Sequence, residues 1–376
     1  MNKREFLKSI GIGAAAYWGS QVIPGCAPAL MKRQKSRLKN WVWITTDVKK
    51  PDDEWISLFR SMRRAGIDAI VPEVYDGHRA YYASRHLTVG ELWLERLLSL
   101  AKAEGLEVHA WMWCMPCNNE EVRTKHPEWF AVNRKGESAG EKPAYVDYYR
   151  FLCPSRSEVH EFIRATVSEL SDVELLDGVH LDYIRFPDVI LAEGLQPKYG
   201  IVQDREFPEY DYCYCEVCRA EFRSRGGSDP LTMQDPSTSG EWRQFRYDQI
   251  TRLVNGTLIP VARAKKKQIT AAVFPNWEMV RQEWSQWDLD AVLPMLYHGF
   301  YNQGIDWIGE QTKRGIASLR RPIPLYSGLF IPQLTPESLE ESVAISLEAG
   351  AAGVSLFSAQ AMTAAHWQSL GLALKK

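Results

Sequence analysis

The sequence lacks an excess of charge of either sign. Its 376 residues include 45 basic and 47 acidic side chains, for a formal net charge of -2. Nucleic acids and anionic membrane surfaces attract proteins that carry a large field of one sign. We therefore expect no nucleic-acid partner. After the first 26 residues the sequence also lacks a long apolar run. A membrane-spanning helix would need ~20 predominantly apolar residues.

The first 26 residues have the pattern of an export segment. A basic start, MNKREFLK, precedes the moderately apolar SIGIGAAAYWGSQV, and IPGC ends the segment. The Lys3-Arg4 pair resembles a twin-arginine signal with one arginine replaced, which leaves the export route open. Residues 23–26 resemble a lipoprotein cleavage box in which Cys26 is lipidated; the alternative is an ordinary signal peptide with an incidental cysteine. We expect an exported protein, periplasmic or anchored to the outer membrane only through this lipid, with a linker at 27–40.

From residue 41 to residue 376, short β-type runs alternate with longer amphipathic helical patterns. Such alternation is typical of parallel β/α units. Eight of them predict one (β/α)8 TIM barrel, with a doubly wound open sheet as the alternative. No glycine-rich phosphate loop follows the first strand, so no dinucleotide site is indicated. The predicted strands are 41–46, 67–75, 106–113, 178–183, 268–274, 289–297, 323–330 and 353–359.

Two connections are much longer than the usual ~2–6 residues of βα loops. Residues 114–156 follow the third strand and residues 184–241 follow the fourth. Both leave the C-terminal ends of strands, where the sites of TIM barrels lie. We interpret them as walls of a substrate cleft, with peripheral decoration as the alternative.

The most informative motif is DGVHLDYIRFP at 177–187. Asp182 closes a strand whose apolar residues alternate, and Pro187 stops that strand. The motif therefore predicts a carboxylate at the rim of the barrel. We favour a catalytic role for Asp182 over use as a helix cap or as an ion-pair partner of Arg185.

This motif resembles bacterial "family 10-like" glycoside hydrolases. HPEWFAVNRKGES (126–138), YRFLCPSRSEVHEF (149–162) and AVLPMLY (291–297) share the resemblance, which runs over roughly residues 40–360. The resemblance implies a (β/α)8 barrel with Asp182 at the active centre. It leaves the substrate open.

Hydrolysis of a glycosidic bond requires a second carboxyl group beside Asp182. Glu73, in VPEVYDGH near the end of strand two, and Glu283, in NWEMVRQEWSQW after strand five, are the two leading candidates. Glu73 could instead orient Arg185 or His109, and Glu283 could point away from the cleft. Asp47, after strand one, is predicted as a helix cap or a substrate contact.

Aromatic and polar residues at other strand ends complete the predicted sugar site. The chain holds 14 tryptophans, and flat rings stack on the apolar faces of sugars. His109, Trp111 and Trp113 alternate on strand three and so share one face. Each residue alone fits a structural role as well as a binding role; their shared location favours binding. The predicted substrate-binding residues are Asp47, His109, Trp111, Tyr183, Arg185, Asn276, Trp277, Tyr297 and His298.

Six cysteines follow Cys26, three of them in the YCYCEVC run at Cys213, Cys215 and Cys218. In an oxidising compartment the six could form up to three disulfides. The Cys-x-Cys-x-x-Cys run could instead supply three ligands to a structural zinc, with a fourth from Cys114, Cys117 or a histidine. We favour disulfides or free thiols, and predict neither a catalytic metal nor a cofactor.

These observations predict a glycoside hydrolase that cleaves an oligo- or polysaccharide with paired carboxylates. The rival from another class is a surface glycan-binding lipoprotein that kept the barrel but lost the second carboxylate. A metal-dependent hydrolase of sugar side groups would need clustered histidine and aspartate ligands, and the eight histidines are scattered. The sequence leaves oligomeric state open.

Overall fold

The computed structural model describes residues 38–375. Its architecture is the predicted (β/α)8 barrel. The predicted export segment with Cys26 and most of the predicted linker lie outside the described residues. Within 38–375, no helix combines the length and apolar character that crossing a bilayer would require.

All eight predicted strands are present, and each is shorter than its predicted run. Each is buried on both faces because side chains alternate between the barrel lumen and the surrounding helices. The strands are β1 (Trp41–Ile44), β2 (Ala69–Tyr75), β3 (Glu107–Trp113), β4 (Gly178–Asp182), β5 (Gln268–Val273), β6 (Ala291–Pro294), β7 (Ser327–Phe330) and β8 (Val354–Phe357).

The strands pair in parallel in the order β6-β5-β4-β3-β2-β1-β8-β7. Isolated bridges join Val292 to Leu325 and Met295 to Gly328, so that the β6 and β7 ends of this order meet. The Tyr326 amide donates to the Val292 carbonyl at 3.0 Å. The sheet is therefore a nearly closed barrel.

Ten α-helices occur in the described part of the chain. The alternation departs from strict regularity between β5 and β6, where two 3-10 turns, Trp277–Val280 and Trp284–Gln286, take the place of a helix. The helices are α1 (Asp52–Arg64), α2 (Leu94–Ala103), α3 (Glu120–Lys125), α4 (Ser157–Asp172), α5 (Glu216–Ser224), α6 (Gly240–Leu253), α7 (Ile259–Ala264), α8 (Asp306–Ser318), α9 (Pro336–Glu348) and α10 (Ala364–Ala373).

The two long connections predicted from the sequence are present. The first runs from the end of β3 to the start of α4 and contains the short α3; the second runs from the end of β4 to α6 and contains α5. Both leave the C-terminal ends of adjacent strands. They therefore stand side by side over the same mouth of the barrel.

The lumen is filled by large rings set against small side chains. Trp41, Trp43 and Trp111 pack there with alanines from three other strands. Pairing large with small residues lets a narrow barrel reach the density of a protein interior. The opposite faces of the same strands join the larger core beneath the helices, as Val42 and Ile44 do.

Candidate active site

A pocket of about 450 Å³ opens at the C-terminal ends of the strands. Side chains from the strand ends form its floor and the two long connections form part of its wall. Fourteen of its 24 lining residues are aromatic, so its surface suits flat, partly apolar faces. Two carboxyl groups on the floor, from Asp182 and Glu73, share this aromatic surrounding.

Asp182 is the last residue of β4 and is 7% exposed. The indole of Trp111 donates to its Oδ2 at 3.0 Å, and the Tyr183 amide donates to its Oδ1 at 2.7 Å. Burial raises the pKa of Asp182 to about 6, although these two donors and the charge of Arg185 oppose the shift. The carboxyl group is thus held in place and titrates near neutrality.

Glu73 lies in β2, on the other side of β3 from Asp182. The Trp113 indole donates to its Oε1 at 3.1 Å, and the Thr46 hydroxyl lies 3.4 Å from its Oε2. Burial, followed by the charges of Asp76 and, more weakly, Asp182, raises the pKa of Glu73 to about 7. Two carboxyl groups with raised pKa values therefore face one pocket, the arrangement often found at catalytic sites.

Strand β3 positions both carboxyl groups. In the sheet register Trp111 is level with Glu73 and Trp113 is level with Asp182. Each indole nevertheless donates to the carboxylate that is not level with it, Trp111 to Asp182 and Trp113 to Glu73. The two side chains share the lumen face because they are two residues apart on one strand. One strand thereby orients two acids carried by its two neighbours.

Arg185 lies at the base of the wall and is 3% exposed. Its guanidinium donates to Asp188 Oδ2 at 3.0 Å and to the Tyr149 hydroxyl oxygen at 3.2 Å. The Tyr145 hydroxyl in turn donates to the Asp188 carbonyl at 2.8 Å. Tyr145 and Tyr149 belong to the first long connection and Asp188 to the second, so this partly buried network ties the two walls together.

Six of the predicted site residues line the pocket. Tyr183 follows Asp182 with a φ of 50°, a left-handed backbone conformation that is uncommon outside glycine. Tyr297 lies close enough to Asp182 for that charge, after burial, to raise the tyrosine pKa. The six are Glu73, Trp111, Asp182, Tyr183, Arg185 and Tyr297.

Glu283 is half-buried and does not line the pocket. Its neighbours Gln282 and Trp284 both turn toward the barrel, where they hydrogen-bond to the Phe274 amide and carbonyl respectively. The Glu283 carboxylate, between them, instead accepts a hydrogen bond of 3.0 Å from Gln244 on α6. Of the two leading candidates, the structure brings Glu73 to Asp182 and leaves Glu283 outside.

His109 also differs from its expected place. It lies on the lumen face, but one layer below the pocket, fully buried with its ring 4.5 Å from that of Trp41. Asp47 neither caps α1 nor lines the pocket: the residue at the N-cap of α1 is Pro51, and Asp47 Oδ1 instead accepts from the Lys49 and Lys50 amides at 3.3 and 3.2 Å in the turn before the helix.

Three further predicted binding residues follow strand ends but do not line the pocket: Asn276, Trp277 and His298. Each lies at the start of a 3-10 turn, which sets the direction of the side chain once the strand has ended. Trp277 packs against Tyr247 on α6, with ring centroids 5.1 Å apart. The turn after β6 presents Tyr301 to the pocket in place of His298.

Several lining residues were not predicted from the sequence. Phe330 and Phe357 end β7 and β8 as Asp182 ends β4, so the rule of strand ends could have found them. Trp43 lies on the lumen face of β1, so the strand alternation could have found it as well. The others come mainly from loops and turns, where no periodicity marks them. The loop and turn residues with side chains of interest are Tyr145, Tyr148, Tyr149, Asp188, Lys198, Tyr199, Phe300 and Tyr301.

Comparisons with known proteins agree with this architecture. The chain is 21% identical over 368 residues to the glycosyl hydrolase YngK of Bacillus subtilis (strain 168), an alignment that covers 80% of this chain and 62% of the relative. The chain thus spans less than two thirds of that relative's length. No family model matches the chain.

Solved structures with the same fold include the glycoside hydrolase domain of PgaB (BpsB) from Bordetella bronchiseptica. It is 14% identical, with a TM-score of 0.67, and the match covers 85% of this chain and 94% of that domain. The catalytic domain of a β-amylase from Paenibacillus polymyxa is 10% identical with a TM-score of 0.61, covering 88% and 94% of the two chains. At such identities the likeness shows the fold alone.

Proposed function

We propose that this protein is a glycoside hydrolase of oligo- or polysaccharides in which Asp182 and Glu73 are the paired carboxyl groups. The observation that carries the proposal is the placement of these two buried acids, each held by an indole of β3, on the floor of one aromatic pocket. The relative named as a glycosyl hydrolase supports the same reaction class. The "family 10-like" resemblance remains a prediction.

The two acids differ in a way that suits glycoside hydrolysis. Asp182, with a pKa of about 6, loses its proton before Glu73, with a pKa of about 7. Between about pH 6 and about pH 7 the favoured state has Asp182 ionised and Glu73 protonated. Glu73 would then protonate the leaving oxygen, while the Asp182 carboxylate attacks the anomeric carbon or activates a water molecule.

The aromatic surface supports a sugar as the ligand. Trp113 and Tyr183 line the same pocket as the two acids and contact each other, with ring centroids 4.6 Å apart. Rings of this kind stack on the apolar faces of pyranoses, while nearby hydroxyls such as that of Tyr148 can bond sugar hydroxyls. The pocket is therefore suited to hold one sugar ring against the acids.

The alternatives are less well supported. A pure glycan-binding protein has no need for a second carboxyl group beside Asp182, yet Glu73 lies in the same pocket. A metal-dependent deacetylase would need grouped ligands in the pocket. Among residues 38–375, the side chains grouped closely enough to hold a metal are four cysteines, none of which lines the pocket.

The test is product release from a panel of bacterial, plant and host glycans by the full chain and by its Asp182→Asn variant. We expect one glycan class to be cleaved, and the rate to fall by at least ~100-fold in the variant, the scale of a lost acid or base. Asp53→Asn, which changes an exposed carboxylate on α1, is the matched control and should keep the parent rate. Equal binding without cleavage by parent and variant would instead indicate a glycan-binding protein.

We also propose that the protein is exported and anchored by a lipid on Cys26, as the sequence predicts. Only the N-terminal pattern supports this. A Cys26→Ala variant should lose incorporation of labelled fatty acid and leave the membrane fraction; unchanged fractionation would contradict the proposal.

A further inference from the structure

Four cysteines from the two long connections converge at one place. Cys153 lies near the end of the first long connection, and Cys213, Cys215 and Cys218 belong to the second. Their four Sγ atoms all lie within 4.8 Å of one another. Cys153 Sγ is 3.5 Å from Cys215 Sγ and 3.4 Å from Cys218 Sγ, and all four side chains are buried.

This geometry matches a tetrahedral metal site. A zinc ion bound to four thiolates at about 2.3 Å separates neighbouring sulfurs by about 3.8 Å, so a cluster of this size can close around one ion with little movement. The Cys-x-Cys-x-x-Cys spacing places three sulfurs on one tight segment. The fourth comes from Cys153, where the sequence pointed to Cys114, Cys117 or a histidine.

Groups around the sulfurs favour thiolates. The Val132 amide donates to Cys213 Sγ at 3.4 Å. Cys215 immediately precedes α5, whose N-terminal end favours negative charge. Such outer contacts orient the ligands of a metal and stabilise their charge.

We propose that Cys153, Cys213, Cys215 and Cys218 bind one structural Zn²⁺. On binding, four thiols lose their protons and form four zinc–sulfur bonds, with no change of oxidation state. The site would fasten the first long connection, which carries Tyr145 and Tyr149, to the second, which carries Asp188. It would thus hold together the two walls of the pocket, and it does not depend on which reaction the pocket catalyses.

The test begins with the zinc content of the full chain, purified with its cysteines reduced and dialysed against a metal-free buffer. We expect one zinc per chain. Cys153→Ser and Cys215→Ser should lose most of it, whereas Cys117→Ser, which changes a buried cysteine outside the cluster, should retain it. Removal of the ion should lower the melting temperature of the parent and of Cys117→Ser.

A second measurement uses only the parent protein, so it tests the proposal even if the cysteine variants fail to fold. Exchange of the ion in the parent for Co²⁺ should give the absorption bands of tetrahedral cobalt thiolate. Denaturation should then release four reactive thiols in addition to those of the cysteines outside the cluster. Two results would overturn the proposal. One is a reduced, folded parent that takes up neither metal; the other is a mass two hydrogens lighter per disulfide, with Cys153 cross-linked to the Cys213–Cys218 segment.

Discussion

The lumen of the barrel has two polar layers that differ in what lies above them. In the lower layer His109 and His180 are fully buried against tryptophan rings, each 4.5 Å from its partner ring centroid. In the upper layer Glu73 and Asp182 are held just as firmly but face a pocket. Along β4 the two-residue alternation places His180 in the lower layer and Asp182 in the upper one, while His109 comes from β3 and Glu73 from β2. A polar residue that points into the barrel is therefore a candidate catalytic residue only near the C-terminal ends of the strands, where the pocket lies.

The two layers also respond to pH in opposite ways. Burial lowers the pKa of both histidines, so the folded state keeps them neutral and loses stability as the pH falls through their unfolded value. Burial raises the pKa of both acids, so the folded state loses stability as the pH rises from their unfolded to their folded values. Four kinds of measurement could break or sharpen this contrast.

The largest expected effect separates Glu73 from Glu283. Glu73→Gln removes the proposed acid and should lower kcat on the glycan that the parent cleaves by ~100-fold or more. Glu283→Gln changes a carboxylate outside the pocket and should alter kcat by less than ~3-fold, an effect of about 0.6 kcal/mol. Initial rates at saturating substrate decide between them, and the reverse order would assign the acid to Glu283.

The second effect concerns the lower layer. A Cβ on Gly178 would lie 2.4 Å from His109 Nδ1 and 2.6 Å from the Gln268 carbonyl oxygen. Because this contact is too short, Gly178→Ala should reduce the free energy of unfolding by about 1–3 kcal/mol, as overpacked cores do. Urea denaturation measures the loss. The pH optimum of activity should stay where the parent has it, and a shifted optimum would show that the two layers are coupled.

The third effect is the pH dependence of stability in the upper layer. In the parent, the buried Glu73 lowers the free energy of unfolding as the pH rises from 4.5 to about 7. Glu73→Gln abolishes that titration, so the variant should gain about 1–3 kcal/mol relative to the parent between pH 4.5 and pH 7.5. Urea denaturation of both proteins at the two pH values gives the difference. If the free energy of unfolding changed by the same amount in both proteins between the two pH values, the pKa of Glu73 would not be raised by folding.

Much of the fold could be predicted because strands and helices leave periodic patterns. All eight strands were expected, and Asp182 was placed at a strand end because Pro187 stops the run behind it. The helix missing between β5 and β6 was not foreseen. Segments outside helices and strands show no periodic pattern of apolar residues in the sequence. The connection between β5 and β6 is such a segment and forms two 3-10 turns.

The site was predicted less completely than the fold. Residues inside strands, such as Glu73 and Trp111, keep the direction that the alternation gives them. Residues beyond the last ladder bond, such as Trp277 and His298, take the direction of the following turn, which the sequence did not reveal. Cys153 shows the same limit, since its meeting with the Cys-x-Cys-x-x-Cys run depends on how two long connections fold together.

The most direct test of the paired acids is the pH profile of kcat/KM for the parent and Glu73→Gln on an aryl glycoside whose leaving group needs no proton. The sugar is the one released from the cleaved glycan. On the natural glycan the parent should give a bell with limbs near the pKa values of Asp182 and Glu73, about 6 and about 7. On the aryl glycoside, Glu73→Gln should recover most of the parent rate and keep only the acidic limb. A variant that stays inactive on the aryl glycoside, or keeps the alkaline limb, would contradict the assignment of Glu73 as the acid.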